Sequence, residues 1–140
     1  MPTANPYLIF NGNCEEAFVF YASVLGGDLR ITRFSDMEGA GEMPPEFGSR
    51  VANVALPLSE TNLLYGSDCP PGQDIDNTRA GFTVSLEVES AEEAERLFNE
   101  FAAGGEVTMP YGPTEWAEAF AMVNDKYSVP WMINFTGSKG

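Results

Sequence analysis

The sequence predicts an α+β fold. Two βαβββ modules form a curved, mostly antiparallel, cup-shaped sheet with the helices outside. Three observations carry this expectation. The phrase CEEAFVFYASVLGGDL at residues 14–29 is echoed by AEEAERLFNEFAAGGEV at residues 91–107. In both, a Glu-Glu pair marks a helix start and a Gly-Gly pair a helix stop; the Glu pairs lie 77 positions apart and the Gly pairs 78. Short β-rich segments flank both copies in the same order, and a Pro/Gly/Asp-rich connector, CPPGQDIDNTR, divides the chain almost in half. A match of helix, stop and flanking strands together marks a duplicated unit. The boundaries follow: one domain over 1–140, with module one at about 5–68, the connector at 69–79 and module two at about 80–137.

Each element has its own signal. PYLIFNG, 6–12, is a short strand closed by Asn-Gly. Residues 14–25 read as a helix with Ala17, Phe20, Tyr21 and Val24 on one face, ended by Gly26-Gly27. DLRITRFS, 28–35, alternates and is β-branched, which predicts a strand. Residues 37–49 carry three glycines and two prolines and predict a loop. RVANVALPL and TNLLYGS are two more strands, a hairpin about Ser59-Glu60. In the second half GFTVSLEVES is a strand, and 91–103 is a helix with Ser90 as N-cap and Glu92 and Glu93 in its first turn. EVTMPY, EWAEAFAMVND and VPWMINF complete the set as strands. The layout gives each sheet one face toward its helix and one toward a cleft between the modules.

Composition narrows the function. The chain has 140 residues, 21 acids against 7 bases and a net charge of −14. Such a surface repels phosphate backbones and anionic lipid, so nucleic acid and membrane are excluded as partners; a cationic ligand would be attracted. No apolar run reaches the 18 or so residues of a membrane span. The first residues lack the pattern of a signal peptide, and a cytoplasmic protein is expected. Two cysteines, Cys14 and Cys69, without CxxC spacing, predict reduced thiols. Glu15 and Glu16 counter the helix N-terminus beside Cys14, so that thiol is expected to be inert.

There is no histidine. The commonest metal ligand and the commonest general base are both missing, and no Ser-His or Cys-His pair can form. Any metal would need oxygen ligands.

Several residues remain as candidates. In WAEAFAMV, alternation puts Trp116, Glu118, Phe120 and Met122 on one face and Ala117, Ala119, Ala121 and Val123 on the other. The small face suits packing against an element behind the sheet. Glu118 would then be a carboxylate among aromatic rings, an acid–base candidate through desolvation, or else a solvated residue paired with an arginine. In TVSLEVES, Thr83, Ser85, Glu87 and Glu89 share a face that looks either into the cleft or into solvent. With Glu118, the carboxylates of that face could hold Mg²⁺, Mn²⁺ or a cationic ligand. Asn53 interrupts VANVAL and must bond either a ligand or a neighbouring backbone group. Tyr7, Phe34, Tyr65 and Trp131 are large enough to line a pocket or to serve as core. EGAGE, 38–42, contains GxG after a strand, but Met43-Pro44-Pro45 follows, so no phosphate-binding helix starts there and a methyltransferase of the nucleotide-binding kind is rejected.

The chain resembles the PhnB-like branch of the vicinal oxygen chelate superfamily, which includes glyoxalase I, bleomycin-resistance proteins and ring-cleaving dioxygenases. The resemblance lies in PYLIFNGNCEEAFVFYASVLGGDL, in GSDCPPG, and above all in VNDKY followed by VPWMINF. It implies the paired βαβββ fold, a homodimer and a ligand cleft inside the sheet. It also implies a divalent metal held by histidine and glutamate from four strands. Three of those positions fall here near Pro6, Thr83 and Met132, and the branch's further histidines on the third and seventh strands fall at Val51 and Glu118. None suits the usual centre. The expectation is therefore a small-molecule-binding protein without a cofactor. Its ligand pocket would be lined by Asn53, Tyr65, Thr83, Ser85, Glu87, Trp116, Phe120 and Trp131. The alternatives are a lyase- or isomerase-type enzyme, using an oxygen-ligand divalent metal or Glu118 as acid–base, and a structural dimer with a filled cleft.

Overall fold

The computed structural model describes residues 4–36, 48–69 and 81–139. Most of the expected 37–49 loop, including EGAGE, and most of the connector lie outside the described residues. The chain divides into two compact units, 1–77 and 78–140. The first runs β1 (Tyr7–Phe10), α1 (Cys14–Leu25), β2 (Arg30–Arg33), β3 (Val51–Pro57), β4 (Leu63–Asp68). The second runs β5 (Val84–Glu87), α2 (Ala91–Ala102), β6 (Glu106–Gly112), β7 (Ala119–Asn124), β8 (Pro130–Phe135). The duplicated strand–helix–three-strand order is present.

The sheets repeat each other as well. Their strand orders are β1-β4-β3-β2 and β5-β8-β7-β6. In each, the first strand pairs with the last in parallel and the other pairs are antiparallel. The parallel pair follows from the connections: the crossover helix returns the chain as a strand running like the first, and two antiparallel steps bring the last strand to the same direction beside it.

In the first unit α1 covers the face formed by Leu8, Phe10, Val54, Leu56 and Leu64, all buried. Phe18 of α1 meets Phe10 edge-on at 6.2 Å and Tyr21 at 5.4 Å. Gly66 sits beneath the Phe18 ring, where a Cβ would overlap it, so the helix approaches closely only because β4 has no side chain there. The buried stripe of α1 is Cys14, Ala17, Phe18, Tyr21 and Val24. Phe18, not the expected Phe20, fills the core, and Phe20 is half-buried at the stripe's margin. Both phenylalanines fit helical spacing, and only the seat under Gly66 chooses between them.

In the second unit Leu97 and Phe101 of α2 are buried with Ala121, Val123, Trp131 and Ile133. Phe101 stacks on Trp131 at 4.5 Å. Ser90 caps α2 by accepting from the Glu93 N–H at 3.1 Å, while the Glu93 carboxylate accepts from the Glu89 N–H. The caps of the two copies differ: Asn13 makes no side-chain bond to α1. Asp68, at the end of β4, accepts instead from the N–H groups of Gly12, Cys14 and Val51 at 2.8, 3.0 and 2.9 Å.

Candidate functional site

Each sheet has one face turned away from its helix, and alternation assigns residues to it. In the first unit, register puts Tyr7, Tyr65 and Ala55 side by side on this face, with Asn53 and Thr32 paired further along. Tyr7 and Tyr65 lie ring on ring at 6.3 Å. Tyr7 is 48% exposed and Ile9, two residues along the same face, 37%. Tyr65 and Asn53 therefore share a face, as a common site requires. Asn53 is exposed rather than set in a buried strand.

In the second unit the helix-distal face carries Ser85, Met132 and Met122 across three strands, beside Glu87, Asn134 and Phe120. Thr83 stands just before β5. The sequence alternation of β7 holds: Ala119, Ala121 and Val123 are buried on the α2 side, with Phe120 and Met122 opposite. The strand itself is shorter than expected. Trp116 and Glu118 precede it, because Thr114 N–H bonds the Ala117 carbonyl at 3.0 Å and closes a turn. Trp116 is 52% exposed and meets Phe120 edge to face at 5.2 Å. Trp131, read from sequence as pocket or core, is core. Its side chain is fully buried against α2, and its indole N–H donates to Asp125 at 2.8 Å.

The two carboxylates of this face are not open. Glu118 is exposed rather than desolvated, and its carboxylate accepts the Ser138 N–H at 2.6 Å. Glu87 accepts from Thr136 N–H at 3.0 Å, from Asn134 Nδ2 at 2.6 Å and from the Thr136 hydroxyl at 3.2 Å. The Thr136 N–H, ahead of the two side-chain donors, holds the Glu87 pKa below the usual carboxylate range. Glu89 has left the strand for the start of α2, so TVSLEVES does not present a row of free acids.

The metal expected of the wider superfamily does not fit these residues. The chain has no histidine. At the corresponding positions Pro6 offers no side-chain donor, Met132 a soft thioether and Thr83 one hydroxyl. Among the described residues no group of three or more Asp, Glu, Cys or His side chains converges.

Two functional-looking groups were missed in the sequence. Among the described residues Asp68 and Asp125 are the buried charged ones, 2% and 4% exposed, and both serve backbone N–H groups. Asp125 lies within VNDKY, and its carboxylate closes the β7–β8 turn on Tyr127 and Val129 N–H and anchors Trp131. Cys14 is fully buried; burial first, then the charges of Asp68 and Glu15, push its thiol pKa far up, so it is no nucleophile.

Residues 2–134 match the model of the family described as 3-demethylubiquinone-9 3-methyltransferase. Protein YjdN of Escherichia coli (strain K12) is 34% identical over 93% of this chain and 92% of its own length. The crystal structure of protein PA1353 from Pseudomonas aeruginosa superposes with a TM-score of 0.86 at 40% identity, covering 96% of this chain and 98% of that one. Two more distant structures share the fold. The Bacillus cereus PhnB protein has a TM-score of 0.74 at 24% identity, over 96% of this chain and 99% of its own. A glyoxylase/bleomycin resistance protein/dioxygenase domain from Frankia sp. EAN1pec has 0.68 at 14%, over 97% and 98%.

Proposed function

Because the chain belongs to the family described as 3-demethylubiquinone-9 3-methyltransferase, the PhnB-like branch of the vicinal oxygen chelate superfamily, we propose that it binds a small organic ligand on a helix-distal sheet face, without a histidine–glutamate metal centre. One observation carries this reading. Large apolar rings and chains, Trp116, Tyr7 and Ile9 among them, stand exposed on or beside the faces that the helices leave uncovered. Exposed apolar surface can serve as a ligand site where such groups adjoin, as the paired Tyr7 and Tyr65 rings and the Trp116–Phe120 contact do here. The net charge of −14 favours a neutral or cationic ligand, and aromatic faces accept cations directly. We further propose that the protein acts as a homodimer, for which light scattering behind size-exclusion chromatography is the check.

The enzymatic alternative, with Glu118 as acid–base or with an oxygen-ligand metal, finds less support. Glu118 already accepts a backbone N–H, and the acids of its face do not converge. Methyl transfer, which the family's description names, is not our reading: the described sheets hold one parallel pair each rather than a doubly wound parallel sheet.

The test uses protein treated with EDTA and a planar aromatic cation as probe. Saturable quenching of tryptophan emission is expected, weakened about tenfold or more by Trp116→Ala, the effect of losing roughly 1.4 kcal/mol of contact. Binding that appears only after a divalent metal is restored, or turnover of a sulfonium methyl donor, would overturn the proposal.

A further inference from the structure

The C-terminal segment after β8 is tied back to the site by contacts that neither the strand ladder nor the core requires. Thr136 gives its N–H and hydroxyl to Glu87. Ser138 gives its N–H to Glu118 at 2.6 Å, and Lys139 Nζ donates to the Thr114 carbonyl at 2.9 Å. A single 3₁₀ turn, Gly137–Lys139, makes these contacts simultaneous. Gly137 favours the arrangement on two counts: its φ is +58°, and a Cβ would meet the Glu118 carboxylate, which would have to swing away.

Two of these ties end on one short loop. Thr114 and Glu118 bracket Trp116, and the turn between them is closed by the Thr114 N–H to Ala117 carbonyl bond. We propose that residues 136–139 form a latch that positions the Trp116 loop against Phe120. Glu118 and Lys139 are its positioning residues, and Glu87 fixes the latch to β5. The latch supplies the Glu118 contact and, beside the Asn134 amide of β8, the Glu87 contacts from Thr136. All its bonds lie at the surface, where each is weak and exchanges readily with water, so the latch is reversible. It holds whether or not this face binds a ligand.

The two tryptophans provide a reporter and a control. Full-length protein labelled with 5-fluorotryptophan gives one ¹⁹F line from exposed Trp116 and one from buried Trp131, assigned with Trp116→Phe. Gly137→Ala parts the Glu118 carboxylate from the tail and breaks that tie. The expected result is a shifted and narrowed Trp116 line, with faster acrylamide quenching, while the Trp131 line stays in place. If Gly137→Ala also displaces the Trp131 line, the unit has been disrupted, and the double variant Glu118→Ala/Lys139→Ala carries the test, since it removes the ties without adding a clash. A Trp116 line and quenching rate unchanged in a variant whose Trp131 line is also unchanged would overturn the latch.

Discussion

Asp125 and Glu87 show how differently two carboxylates of one unit can be used. Asp125 is sealed at 4% exposure, with two backbone N–H groups and the Trp131 indole on its oxygens. Removing it strands those donors inside the protein. Asp125→Ala should cost on the order of 2–4 kcal/mol, read by urea denaturation, and Asp125→Asn less, since it keeps one acceptor oxygen. Glu87 lies at the surface, and its partners only hold its pKa below the usual carboxylate range. The sign follows from that direction. The folded state favours the ionised form, so Glu87 stabilises the protein fully above the ordinary carboxylate range, and that contribution fades as pH falls through and below it. Glu87→Gln should therefore be less stable than the parent at neutral pH and converge with it in acid, as paired urea titrations at about pH 7 and pH 3 would show. Alternation put Glu87 on the helix-distal face of β5, and Glu118 falls just ahead of β7. Alternation could not show them occupied, because their donors lie 49 and 20 residues away in the chain.

At the scale of elements, both helices were legible nearly to the residue. Their signals are local: a Glu-Glu start, a Gly-Gly stop and, for α2, a Ser90 cap. What the sequence left open was the roll of α1 about its axis, which Gly66 settles by making room for Phe18. Gly66→Ala should push that ring out and cost about 1–3 kcal/mol, with no change in helix content at moderate temperature. Thermal unfolding followed by circular dichroism measures both quantities. The strand ends were read less well. GFTVSLEVES and EWAEAFAMVND promise long strands, but β5 and β7 are short because Ser90 begins a helix and Thr114 a turn. Capping and turn bonds override β propensity at such boundaries. The latch belongs to this scale too: one 3₁₀ turn fixes a loop from another part of the sheet.

For the whole molecule, the repeat was the most informative feature of the sequence, since it implies two copies of one sheet topology, and both copies are present. The family resemblance added the superfamily's site, and the chain has no histidine to serve as that site's usual metal ligand. Neither could show Trp131 turned into the core or Glu118 bonded to the tail, because both depend on contacts made after the strands pair. The helix-distal faces and their margins keep the apolar groups Tyr7, Ile9 and Trp116 exposed, beside polar Asn53 and Glu87, in a strongly acidic protein, and the binding proposal rests on the apolar ones. Calorimetric titration of EDTA-treated protein with a planar aromatic cation, alongside Trp116→Ala, tests it most directly. Saturable metal-free binding, weakened about tenfold or more in the variant, is the predicted result; no binding until a divalent ion is added, or equal binding by the variant, would contradict it.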